Sequence, residues 1–237
     1  YGILSQDSNQ AEVEQYIQEQ YSNADFGNIL FQILQNVSTE AIPHDNSNFI
    51  STCCFILKNW AKINWNNMTN AQKAEFFDSL KKLILSVQEP YVIYLTDTFT
   101  DMAERECQNK KDRNLDIFKC HYDDIFTALS NPQSCSMDQI SGLLNIIVFA
   151  SHIYKRNRHE FDPSELLAFL AKISENILPY LENHQLLESD EGCTILRLVL
   201  ESFNIMFLLI KPPIENASGP LSFSEAVENE FIKRIFL

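Results

Sequence analysis

The sequence predicts an all-α fold, a right-handed α-solenoid of stacked helix pairs, and three observations point to it. Apolar residues recur at spacings of three and four along the whole chain, without strand-like alternation. Five glycines and eight prolines in 237 residues are too few turn-formers for a many-stranded protein. The ten helices so read fall into five pairs whose starts are regularly spaced, which a compact ten-helix bundle would not explain.

Taken in order, Tyr16, Ile17 and Tyr21 suit a first short helix, and Phe26, Ile29, Leu30, Ile33 and Leu34 the face of a second. A third runs from about Asn48 to Asn64, with Phe49, Cys53, Ile56, Leu57 and Trp60 on one apolar side. Lys58, Asn59 and Lys62 come off its flanks, and Trp65 lies just past its end. Thr69 with Gln72 is a capping box opening the fourth helix, whose face is Phe76, Phe77, Leu80, Leu83, Ile84 and Val87. Pro90 suits the first turn of a fifth, carrying Tyr91, Leu95, Phe99, Met102 and Ala103. A charged stretch, 104–114, is read as separating it from a sixth with Leu115, Phe118, Tyr122, Ile125, Phe126 and Leu129.

Ser136 with Gln139 is a second capping box, ahead of Ile140, Leu143, Leu144, Ile147 and Tyr154. Asp162-Pro163-Ser164-Glu165 combines an N-cap, a proline at N1 and a carboxylate at N3, before Leu166, Leu167, Leu170, Ile173, Ile177 and Leu178. A ninth helix spans about Ser189 to Ile210, stopping before Pro212-Pro213, and Ser222 with Glu225 opens a tenth. Pair starts near residues 9, 48, 90, 137 and 190 lie close to the HEAT and armadillo period. The expected domain is one HEAT-repeat solenoid over 1–237, with repeats at about 1–44, 45–88, 89–132, 133–187 and 188–237. It is expected to be the N-terminal fragment of a longer superhelix, whose last helix would pack on a following repeat.

The net charge is −14, and residues 1–50 hold seven Asp or Glu with no Lys or Arg; Lys58 is the first basic residue. Such a surface repels nucleic acid and anionic lipid and complements a basic protein partner. No run of 18 apolar residues and no basic-then-apolar leader is present, so membrane insertion is not expected. The six cysteines form no Cys-x-x-Cys pair, which fits a reducing compartment. No glycine-rich phosphate loop or Gly-x-Ser-x-Gly elbow occurs, and His159-Glu160 lacks the second histidine of a zinc helix. Asp123-Asp124 and Asp190-Glu191 read as exposed pairs, so neither catalysis nor a cofactor or metal is expected.

The run Phe55-Ile56-Leu57-Lys58-Asn59-Trp60-Ala61-Lys62-Ile63-Asn64-Trp65 heads the second pair. It resembles the Lys-Asn…Trp signature of importin-β-type nuclear transport receptors, most like the exportin (Cse1/CAS type) that returns importin-α to the cytoplasm. Ile153-Tyr154-Lys155-Arg156-Asn157-Arg158-His159-Glu160-Phe161 is similar to a second segment of that type, after the first helix of repeat four. Glu106-Cys107-Gln108-Asn109-Lys110-Lys111-Asp112 departs from the family's Asp-aromatic-Pro-x-x-Trp stretch, which an importin seven or eight type would also accommodate.

The resemblance places an importin-β N-terminal-like region in 1–88 and implies a shuttling receptor of nucleus and cytoplasm. It implies no bond chemistry. Its partners would be Ran in the GTP form, importin-α as cargo and phenylalanine-glycine nucleoporins. Second helices of the pairs would line the concave face, making Asn28, Gln32, Gln35, Asp78, Lys81 and Lys82 candidate Ran contacts. The basic turn Lys155, Arg156 and Arg158 is a candidate for an acidic partner, while Lys58, Asn59, Trp60 and Trp65 form the structural family motif. The indoles are expected to pack between repeats rather than to bind. A Ran-independent cytosolic HEAT scaffold is the reading from another class.

Overall fold

The computed structural model describes residues 4–23, 25–39, 47–87, 91–108, 116–157 and 163–210. Among them every regular element is helical, with nine α-helices and no strand. They are α1 (Leu4–Gln20), α2 (Phe26–Thr39), α3 (Ser47–Asn64), α4 (Asn70–Ser86), α5 (Val92–Gln108), α6 (Asp116–Leu129), α7 (Met137–Arg156), α8 (Pro163–Asn176) and α9 (Asp190–Ile210). Short 3-10 turns at 65–67, 132–134, 178–182 and 184–188 join some of them. The expected tenth helix, Pro90, Leu115 and Asp162 lie outside the described residues.

The chain divides into two compact units, Tyr1–Phe118 and Lys119–Leu237. In the first, α2 packs on α3 and on α4, α3 packs on α5, and α4 packs on α5. Leu57, Ala61, Phe77, Leu80, Leu83, Leu95, Phe99 and Met102 are fully enclosed there. Aromatic rings run through the core: Phe31 on Phe76 and Trp65 on Phe77 meet edge-on, each at 5.4 Å between centroids, and Phe77 on Phe99 is tilted at 4.7 Å. The expected capping box at Thr69 is formed in both directions, with Gln72 N–H donating to Thr69 Oγ1 and Thr69 N–H donating to Gln72 Oε1. These bonds occupy backbone donors that a first helical turn otherwise leaves open.

In the second unit α7 packs on α9, and α8 also touches α9. Phe169 of α8 is the hub, with Tyr154, Phe126 and Tyr122 centroids at 4.5, 5.6 and 5.7 Å. The Ser136–Gln139 box opens α7 as expected. The Tyr180 hydroxyl donates to Leu129 O at 2.7 Å, closing the end of α6, and burial pushes its pKa up. Gly192 sits where a Cβ would meet Leu186 O at 2.1 Å, so the first turn of α9 lies directly on the backbone of the preceding 3-10 turn.

Several faces are rotated from expectation. In α2 Phe31 is buried and Ile29 exposed, because α2 contacts two helices and turns its stripe toward both. In α3 Phe49 is exposed while Ile50 and Cys54 are buried, and burial pushes the Cys54 thiol up to about 12. Leu167 of α8 and Tyr16 of α1 are exposed as well. The stretch 104–108 is no separator: α5 continues through it to Gln108.

Candidate functional site

The densest polar chemistry of the first unit surrounds the two tryptophans. Trp65 is buried in the turn ending α3, and its Nε1–H donates to Glu106 Oε2 at 3.0 Å. Lys73 of α4 donates to the same oxygen at 2.7 Å, and its ammonium lies 5.3 Å from the Trp65 ring centroid. Glu106 has no solvent exposure and Lys73 only 5%. An indole, an ammonium and a carboxylate thus tie the turn after α3 to α4 and α5.

Trp60 makes a parallel tie on the other side. Its Nε1–H donates to Asn23 O at 2.9 Å, and Asn64 Nδ2 donates to Tyr21 O and Trp60 O, both at 2.9 Å. Gly27 lies against the ring, where a Cβ would come within 2.3 Å of Trp60 Cη2. The sequence expectation that both indoles serve packing agrees with this burial; their two N–H bonds were not anticipated.

Lys58 and Lys62, one helical turn apart on α3, face Asp97 and Asp101, one turn apart on α5. Lys58 reaches Asp97 and, at 2.8 Å, Asp101; Lys62 reaches Asp101 at 2.9 Å. Burial opposes both charges, yet the shared hydrogen bonds outweigh it, raising the Lys58 pKa and lowering that of Asp101. Arg105 adds a bond to Lys62 O at 3.0 Å. The signal for this ladder was in the sequence, two bases at i, i+4 followed about one repeat later by two acids at i, i+4. Asn59, beside Lys58, is exposed.

The candidate contact residues divide. Asn28, Gln32 and Gln35 are exposed on α2. Asp78 is bound by Lys82 at 2.5 Å and Lys81 at 3.1 Å; the Lys82 bond leads in holding its carboxyl below the usual range. Lys81 was expected on an open polar face and is instead buried at 7%, because its stem packs inward while its amine turns back to Asp78. In the second unit Lys155 and Arg156 are exposed in the last turn of α7, where cations suit the helix end, rather than in a loop. Arg158 lies outside the described residues.

Of these candidates Asn28 lines a concavity. That hollow, about 160 Å³, opens between α2, α3 and α4, with Phe31, Trp60 and Phe76 among its walls and Asn64, Asn67, Met68, Gln72, Glu75 and Ser79 around them. Among the described residues no group of three His, Cys, Asp or Glu side chains could hold a metal ion, and no helix is long and apolar enough to cross a membrane. Comparisons with protein-family models, with curated proteins and with solved structures find no match to this chain.

Proposed function

We propose that this chain is a helical-repeat segment of a nuclear transport receptor of the importin-β superfamily, of the exportin type that carries importin-α to the cytoplasm with Ran-GTP. The observation that carries the reading is the position of the Lys58…Trp60…Trp65 run. It heads the second helix pair, and its side chains reach the turn before α2 through Trp60, α4 and α5 through Trp65, and α5 through Lys58. A run that resembles the family signature therefore occupies the inter-pair seams a repeat array needs.

The packing order lends support. Helices two apart in sequence lie side by side, α2 with α4, α3 with α5 and, in the second unit, α7 with α9. Nearest-neighbour stacking of that kind is the pattern of a HEAT-like solenoid, right-handed on this reading. In the proposed complex the exposed amides of α2 meet Ran, and importin-α and phenylalanine-glycine nucleoporins bind elsewhere on the full receptor. Each ligand offsets part of the entropy of holding one curvature, so binding is mutually reinforcing.

The test is a binding titration of the chain with Ran loaded with GTP or GDP. Binding to the GTP form at least about tenfold tighter is expected, a difference of about 1.4 kcal/mol. Gln32→Ala together with Gln35→Ala should weaken it. Equal affinity for both nucleotide forms, or none, would favour a Ran-independent scaffold.

A further inference from the structure

We propose that the α2–α3–α4 concavity is a receptor site for an arginine side chain presented by a basic segment of a partner protein. The walls and rim supply the two things a guanidinium requires. Phe31, Trp60 and Phe76 contribute aromatic rings to the lining, and Glu75, which is exposed, contributes a carboxylate. Asn28, Asn67 and Ser79 add oxygens that can accept from its five N–H donors.

These polar groups are uncommitted. Among the described residues Asn28, Asn67, Glu75 and Ser79 make no side-chain hydrogen bond or ion pair within the protein. The neighbouring bases of α4 are already spent: Lys73 on Glu106, and Lys81 and Lys82 on Asp78. Among the described residues Glu75 thus has no cationic partner, and it stands beside aromatic rings. The α2 wall belongs to a stretch of 57 residues with no Lys or Arg, so the approaching field is negative too. Arginine fits better than lysine, because its planar, weakly hydrated guanidinium stacks on rings and hydrogen-bonds in a fork at once. A nucleic acid is disfavoured by the same field.

The probe is a labelled hexa-arginine peptide, with hexa-lysine as comparator, titrated against the 237-residue chain by fluorescence anisotropy. Because a net charge of −14 attracts any polycation, the control is Glu12→Gln, which removes an equal charge from the exposed face of α1. Glu75→Gln is expected to weaken hexa-arginine binding by about tenfold or more, the scale of one lost charged hydrogen bond, and Glu12→Gln by less than about twofold. In ¹H–¹⁵N spectra the Trp60 indole resonance should move on titration while that of Trp65, outside the concavity, stays. Equal losses for Glu75→Gln and Glu12→Gln, no preference for arginine over lysine, or an unmoved Trp60 resonance would each overturn the proposal. Both substitutions lie on exposed positions, and unchanged melting curves would establish that the fold is intact. The site shares Asn28 with the α2 face proposed to meet Ran, but its readouts are arginine preference and the Trp60 resonance rather than nucleotide dependence, so the failure of either reading is distinguishable from that of the other.

Discussion

Glu106 shows how much one side chain can depend on a neighbour distant in sequence. A carboxylate with no exposure needs compensation, and Lys73 and the Trp65 indole supply charge and hydrogen bonds. Lys73→Met removes the ammonium and leaves the carboxylate in place, so it should destabilise the fold by about 3–5 kcal/mol in urea unfolding. Lys73→Met combined with Glu106→Leu should recover most of that loss, since the charge needing compensation is gone. A double variant as unstable as the sum of the singles would mean the pair acts only through packing. The indoles were legible from the sequence as core because large rings on a helix stripe bury area. Lys73 and Glu106 were not, since charged residues are read as surface. Yet both fall on the stripes: Glu106 follows Phe99, Met102 and Ala103 by seven, four and three residues, and Lys73 precedes Phe76, Phe77 and Leu80 by three, four and seven. A charge in register with an apolar face was the available signal.

Helices and their starts were the most legible layer, because a capping box is local chemistry and needs no tertiary partner. The boxes at Thr69 and Ser136 formed as the residue pairs imply. The faces of α2, α3 and α8 were less legible, since which apolar residues turn inward depends on how many neighbours a helix has. At this scale α7 carries a pH dependence. His152 has its pKa lowered, first by burial and then by Arg156 and Lys155, against the opposing pull of Glu201 on α9. The fold thus favours neutral imidazole and the unfolded chain takes up the proton first, so stability is full above about pH 6.5 and declines as pH falls through that value. Asp101 and Asp78 have lowered pKa values, and their contribution persists to about pH 4 before fading as pH falls further. Melting temperature followed from about pH 8 to pH 3 should therefore fall in two stages. His152→Gln should remove the first stage and Asp101→Asn should shrink the second. A first stage unchanged in His152→Gln would assign it to another histidine.

At the scale of the whole chain, the all-helical class was readable from the three- and four-residue apolar spacing, whereas a partner was not. Gln32 and Gln35 are exposed amides whose meaning lies on the surface they would meet. Charge is the property of the whole molecule that does carry a prediction. Thirty-two acidic residues face eighteen basic ones, and the excess repels itself in the folded state more than in the expanded chain. Salt acts on this repulsion and on the favourable ion pairs in opposite directions. The exposed pairs, such as Arg197 with Glu201 and Lys172 with Asp123, are worth about 0–1 kcal/mol each and lose part of that on screening. The Lys73–Glu106 pair is buried and screened little. Repulsion, by contrast, sums over many charges at separations that a Debye length of about 30 Å at 10 mM spans and one of about 8 Å at 150 mM does not. The unscreened excess should win, and the melting temperature should rise between those two salt concentrations. Among the described residues the ladder of Lys58 and Lys62 with Asp97 and Asp101 is the largest ion-pair network, four charges, and so the first candidate to reverse that sign. If the melting temperature falls with salt in the native chain but rises in Lys58→Met, the ladder rather than the net charge governs the stability of this molecule.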